Sequence, residues 1–162
     1  MLCIKQPDTV SSVTELADPP TDVGPRLTYL IKRLEMAERA RMEEVLQAQG
    51  VTLHQYTALS LLERRDGLSS AQLARRHFVT PQAMNQLVAT LERDDLIRRE
   101  PDEANRKILR ATLTGRGRST LAACHRAVDE LERRMLAGFT PEQETEFRTA
   151  LERSLRGLAE ST

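Results

Sequence analysis

The stretch TPQAMNQLVATLER, residues 80–93, carries Gln82, Asn85, Gln86, Ala89 and Arg93 at spacings that share one helical face. At about 100° per residue, Met84, Leu87, Val88 and Leu91 gather on the opposite side. A helix that only packs would usually show Glu and Lys outward. Carboxamides do something more specific, because each offers a donor beside an acceptor. That pair matches an adenine edge, Arg matches guanine, and a helix fits a major groove. Ala89 leaves room for close approach, and its methyl suits a thymine methyl. The competing reading is a solvated polar face, and the surrounding elements weigh against it.

Those elements form a helix-turn-helix pattern. Ser69 or Ser70 can cap a first helix with Leu73 and Ala74 inward, ending near His77. Thr80-Pro81 then restarts the chain as a cap followed by proline at the first helical position. Ala74 is small enough for the two helices to cross closely. Directly afterwards, LIRRE and RKILRATL read as two strands around the loop PDEANR. Leu109, Ala111 and Leu113 alternate with Arg110 and Thr112, as a half-buried strand requires. A hairpin in this position is a wing, with Arg106 and Lys107 at its tip and Arg98, Arg99 and Arg110 on its stems.

The rest of the chain supplies a frame. Of 162 residues, 40% are hydrophobic and 30% charged, enough for a core within one domain with extensions. Aromatic residues make up 3% and Trp is absent, which suits a helical protein built on Leu and Ala. Net charge is zero, but residues 64–118 hold 12 basic against 7 acidic side chains, so the middle is basic and the ends acidic. Such a distribution is compatible with one polyanion-facing surface. No run approaches the ~18 apolar residues of a membrane span, and MLCIKQPDTVSS lacks a signal-peptide pattern. The expected location is cytoplasmic.

Residues 1–22, rich in turn formers, are expected to be a flexible tail. A long helix is predicted from about Pro25 to Gln49, and a second begins at the cap Thr52 with Leu53, Tyr56, Leu59 and Leu62 on one face. After LTGRG, a helix from about Arg118 to Ala137 carries Leu121, Cys124, Val128, Leu131 and Met135, and Thr140-Pro141 starts the last one. The first and last helices hold more apolar stripe than one small lobe can cover. Leu27, Leu30 and Ile31 are therefore expected to meet Phe147, Leu151 and Leu155 across a two-fold dimer. The resulting organisation is a tail (1–22), a helical dimerisation region (23–50 with 118–160) and a winged helix-turn-helix DNA-binding region (51–117). The fold class is mainly α with a small β-wing.

This order of elements, with SSAQLARRHFVTPQAMNQLVATLERDDLIRR and PDEANRKILRATLTGRG at its centre, resembles the MarR family of winged-helix regulators over residues 25–158. The wing carries the most specific likeness: Asp102, then Asn105-Arg106-Lys107, then the exit Leu113-Thr114-Gly115-Arg116-Gly117. Asn105 stands where Asp is common, which removes one candidate for an ion pair within the wing but leaves a residue able to hold a turn. Phe78 stands where helix-turn-helix proteins often place glycine.

The resemblance implies a sequence-specific regulator of double-stranded DNA, a homodimeric repressor on a pseudo-palindromic operator. Expected DNA contacts are Ser70, Arg75, Arg76, Thr80, Pro81, Gln82, Asn85, Gln86, Arg93, Arg99, Arg106 and Lys107. Among them Arg75, Arg76 and Lys107 suit phosphates, and Arg106 suits a narrow minor groove. Many family members respond to aromatic acids, so a small aromatic acid is the expected effector. Tyr29 and Arg33, four apart on one helix face, with His54 and Tyr56, are its expected site.

Other chemistry finds less support. Cys124 and His125 are adjacent on a helix and project about 100° apart, so they do not form a nucleophile–base pair. Cys3 and Cys124 make no disulfide framework. His54, His77 and His125 lack short metal-ligand spacing, and no Gly-rich phosphate loop occurs. The expectation is a non-enzyme with no cofactor and no metal. Two alternatives stay open: a winged-helix protein-interaction module without DNA binding, and a redox- or metal-sensing regulator of the same fold.

Overall fold

A computed structural model describes residues 24–159 of the chain, and the expected tail, with Cys3, lies outside the described residues. The elements run α1 (Leu27–Gln47), α2 (Leu53–Arg64), β1 (Leu68–Ser69), α3 (Ser70–His77), α4 (Pro81–Arg93), β2 (Ile97–Pro101), β3 (Leu109–Leu113), α5 (Gly115–Met135) and α6 (Pro141–Ala159). The described residues fall into two units, 24–38 and 39–159, with the boundary inside α1.

In the first unit every described side chain is exposed, including Leu27, Leu30, Ile31 and Leu34. The second unit holds the core. Its main cluster joins Ala58, Leu59 and Leu62 of α2 to Leu73 and Ala74 of α3 and to Met84, Val88 and Leu91 of α4. Ile97, Ala111 and Leu113 close it from the strands, and Leu121 from α5. A fully buried Leu or Met contributes about 1.5–3 kcal/mol here. A smaller cluster of Met42, Leu46, Val51 and Cys124 ties the end of α1 to α5.

Local chemistry sets most of the boundaries. Thr52 opens α2 with a capping box: its hydroxyl accepts from the Gln55 backbone at 3.2 Å, and the Gln55 side chain accepts from the Thr52 backbone at 2.8 Å. Ser69 and Gln72 repeat the device at α3, so Ser69 rather than Ser70 is the cap. The strands form an antiparallel sheet in the order β1-β3-β2, with Leu68 opposite Ala111 and Ile97 opposite Leu113.

Three expectations need correction. β1 was not foreseen, because two residues are too short to show alternation. α1 is shorter than the predicted span of about 25–49, running from Leu27 to Gln47, and leaves through a turn in which Gly50 has φ +71°. α5 starts at Gly115, not near Arg118, because the Thr114 hydroxyl caps it by accepting from the Gly117 N–H at 2.9 Å. Gly115 and Gly117 resemble turn residues in sequence, but Gly117 serves close packing: a Cβ there would sit 1.9 Å from the Leu96 carbonyl oxygen. The wing region thus ends inside a helix.

Candidate nucleic-acid interface

The two helices of the motif are positioned by backbone chemistry at their junction. α3 ends at Phe78, whose N–H donates to the Ala74 carbonyl and whose backbone is left-handed, φ 57° and ψ 38°. Two residues later Thr80 caps α4, its hydroxyl accepting from the Ala83 N–H at 3.2 Å, with Pro81 at the first turn. Met84, Val88 and Leu91 are then driven into the core. The turn of the helix leaves Gln82, Asn85, Gln86, Ala89 and Arg93 exposed together, as their spacing predicts.

The expected phosphate contacts divide. Arg75 and Arg76 are exposed in the last turn of α3, Arg76 also reaching the Gln72 carbonyl at 3.3 Å. Ser70 is half-buried at the first turn of α3. Arg93 makes an exposed pair with Asp94, at 3.2 Å, which restrains it weakly. Arg99 behaves differently. Its guanidinium closes on the Glu92 carboxylate through both Nε and Nη2, binding the end of α4 to β2. That hydrogen bond holds the Glu92 carboxyl below its usual range and raises Arg99. Arg99 is thus first a brace between recognition helix and wing.

The wing is organised by one arginine that the sequence presents only as a stem residue. Arg110 pairs with the Asp102 carboxylate across the hairpin. It also donates to the Gly67 carbonyl at 3.0 Å and the Gln72 side chain at 3.4 Å. Wing loop, the turn before β1 and the start of α3 are therefore fastened to a single guanidinium. Asp102 further accepts from the backbone N–H of Ala104 and Asn105, at 3.1 and 2.9 Å. The Arg110 hydrogen bond first, then that of the Asn105 N–H, keeps its carboxyl below the ordinary range. Asn105 accepts from the Lys107 N–H at 3.2 Å, so it holds the turn, and the bracing ion pair comes from Asp102. The signal for Arg110 is its pairing distance, eight residues after Asp102 across a hairpin. Beyond this scaffold Arg106 and Lys107 stand exposed at the tip, and among the described residues no carboxylate pairs with either.

The expected effector residues fall in both units, Tyr29 and Arg33 in the first and His54 and Tyr56 in the second. Tyr29 and Arg33 do pair within the first unit, the guanidinium 5.7 Å from the ring centre. His54 borders a cavity of about 460 Å3 with Arg39, Glu43, Val51 and Leu53. Tyr56 turns away from it, its hydroxyl 3.1 Å from His125 Nδ1, while His125 Nε2 lies 2.9 Å from Glu63. Burial pushes the Tyr56 hydroxyl up. His54 and His77 face each other with ring centres 5.2 Å apart, beside a second cavity of about 370 Å3 that also touches Gln86. Cys124 is buried and its thiol is pushed up by that burial, so it is a poor nucleophile. Among the described residues, no group of three His, Cys, Asp or Glu side chains is placed to hold a metal ion. No described helix is long and apolar enough to cross a membrane.

A polar-faced recognition helix, a left-handed turn before it and a hairpin with a cationic tip after it define a winged helix-turn-helix protein. Comparison with known proteins narrows the class. The family model described as MarR family matches residues 49–108. The HTH-type transcriptional repressor Rv2887 of Mycobacterium tuberculosis is 37% identical over 127 residues, covering 78% of this chain and 91% of that one. The crystal structure of Rv2887 in complex with DNA is similar at a TM-score of 0.70 and 36% identity, covering 80% of this chain and 97% of that one. Its complex with salicylic acid gives 0.66 and 37%, covering 82% and 97%. Wild-type MarR from E. coli, in its apo form, shares the fold at 0.71 with 18% identity, covering 81% and 98%. The chain belongs to the MarR family.

Proposed function

We propose that this chain is a sequence-specific DNA-binding transcriptional regulator, a homodimeric, ligand-responsive repressor acting in the cytoplasm rather than an enzyme. The observation that carries the reading is the exposed face of α4, where Gln82, Asn85 and Gln86 stand clear of the core beside a cationic wing. The likeness to Rv2887, solved with DNA, supports it. Two recognition helices related by a two-fold enter successive major grooves, so the operator is a pseudo-palindrome with half-sites about one helical turn apart. Arg75, Arg76 and Lys107 neutralise phosphates and set affinity; Gln82, Asn85, Gln86 and Arg93 read bases; Arg106 enters the minor groove.

The test is selection of bound duplexes from a random pool, followed by affinity measurements. Gln82→Ala or Gln86→Ala is expected to cost on the order of 1–3 kcal/mol on the selected site and little on random DNA. Equal losses on both would assign these residues to the scaffold.

The ligand arm of the reading rests on the cavity beside His54, where Arg39, exposed and paired with Glu43 at 3.4 Å, is a cation a ligand carboxylate could share, and Val51 and Leu53 supply apolar wall. Rv2887 has been solved with salicylic acid and with p-aminosalicylic acid, which supports an aromatic acid as the ligand class. Such a ligand shifts DNA affinity only by binding two conformations unequally. Salicylate is expected to release the protein from its operator, and Arg39→Ala to abolish that release. Release that survives Arg39→Ala would put the site elsewhere.

A further inference from the structure

Phe78 is 95% exposed, more than any other large hydrophobic side chain described; Leu27, at 77%, is next. It also sits at positive φ, a conformation that glycine adopts freely and that a side chain with a Cβ resists. The backbone there is not loose. The Phe78 N–H donates to the Ala74 carbonyl, and the Val79 N–H donates to the same oxygen at 3.2 Å. A bulky ring is therefore held outward at a fixed point, in a strained conformation, with no packing return among the described residues. Glycine at this position would relieve the strain and remove an exposed apolar surface at once.

Its surroundings indicate what covers it. Arg75, Arg76 and His77 make up the basic last turn of α3, immediately before it. Thr80 and Pro81, two and three residues later, begin the helix proposed to enter a major groove. The rim of that groove alternates phosphates with the apolar C–H faces of deoxyribose. Guanidinium groups satisfy the phosphates, and an aromatic ring satisfies the sugars between them. We infer that Phe78 is a DNA-contacting residue whose ring packs on the deoxyribose backbone at the edge of the groove that α4 enters. This inference rests on the function proposed above. It adds an apolar anchor that reads no base and neutralises no phosphate.

The contact has a signature that separates it from its neighbours. Removing a phosphate contact lowers the salt dependence of binding, whereas removing an apolar contact leaves that slope unchanged. Phe78→Asn and Phe78→Gly both accept the left-handed backbone and delete the ring. Each is expected to weaken binding roughly five- to tenfold on the operator and on random duplex alike, from the lost burial of part of one ring. The slope of affinity against salt stays that of the wild type, the thermal midpoint does not fall, and Phe78→Tyr keeps wild-type affinity. Unchanged affinity in the Asn and Gly variants overturns the inference. So does a reduced salt slope, which would make the ring a positioner of Arg75 and Arg76. A lowered midpoint would mean the ring packs within the chain, and a changed association state in sedimentation would hand it to a second copy; either result also overturns it. Gln82→Ala run in parallel isolates the two claims. If that variant loses operator binding while the Phe78 variants do not, only this inference fails. If the wild type binds no duplex, the proposed function fails.

Discussion

Two helices of this protein begin alike and end up in different situations. α4 opens on Thr80-Pro81 and α6 on Thr140-Pro141, each with its threonine hydroxyl accepting a backbone N–H three residues on. Both carry an apolar stripe. α4 buries Met84, Val88 and Leu91, whereas no residue of α6 is buried, and Leu155 and Leu158 are 69% and 74% exposed. Identical start signals fix where a helix begins and say nothing about what covers it. The stripe of α4 is covered by its own chain and frees its polar face for a ligand. That of α6 is left uncovered among the described residues, and the proposed dimer would cover it with the matching stripe of a second copy. The organisation proposed for this protein rests on that contrast: α4 is the proposed reader of DNA, and α6 a proposed contributor to the two-fold.

The most severe way to break the contrast is to charge the uncovered stripe. Leu151→Asp with Leu155→Asp is expected to abolish the dimer, since a carboxylate buried in an apolar interface is strongly disfavoured. Operator affinity should then collapse to that of a single half-site, while the helical content of the winged region persists. Sedimentation and duplex titration check it together. A well-folded monomer that keeps full operator affinity would overturn the two-fold arrangement.

The next test compares the two stripes directly. Leu91→Ala leaves a cavity in a core where that side chain is fully buried, and about 2–5 kcal/mol of stability should be lost. In the Leu151→Asp, Leu155→Asp background, where no second copy covers α6, Leu158→Ala removes the same atoms from a side chain 74% exposed, and its unfolding free energy should change by no more than about 0.5 kcal/mol. Urea titration of both variants reads the difference. Comparable losses would place the end of α6 in a core.

Much of this was legible in the sequence, and the limits are physical. The inward and outward faces of α4, the Thr52 and Thr80 caps and the wing hairpin all follow from local periodicity and capping, which act within a few residues. β1 was invisible because its two residues become a strand only by pairing with Ala111 and Arg110, about 40 positions away. The start of α5 was misread because Gly117 answers to the Leu96 backbone rather than to turn chemistry. Arg98, Arg99, Arg106 and Arg110 look equivalent as letters. Position relative to Glu92 and Asp102 makes Arg99 and Arg110 braces and leaves Arg106 exposed, with no carboxylate partner among the described residues. Tyr56 was expected beside His54 because the two are close in sequence, yet their helix positions send one to His125 and the other to a cavity.

A smaller effect separates the braces from the exposed arginine at the wing tip. Arg106→Ala should leave fold and dimer intact, weaken duplex binding and lower the slope of log affinity against log salt by roughly 1. Affinity unchanged at every salt concentration would remove the wing from the interface.

The smallest expected effect belongs to the brace between Glu92 and Arg99. The hydrogen bond from Arg99 holds the Glu92 carboxyl below its ordinary value. A carboxyl depressed on folding binds its proton less readily in the native chain than in the unfolded one. Its stabilising contribution is therefore complete above the unfolded pKa, near 4.5 for Glu, and fades as pH falls through the lower folded value. The side chains are 36% and 27% exposed, so solvent screens the pair and it contributes no more than about 1 kcal/mol. Glu92→Gln should accordingly lower stability by that amount at pH 7, and the gap between variant and wild type should narrow on acidification below about pH 4.5. Unfolding curves at pH 7, 5 and 3 measure it. A gap that stays constant across that range would mean that Glu92 stabilises α4 by its packing and not by the charge it offers to Arg99.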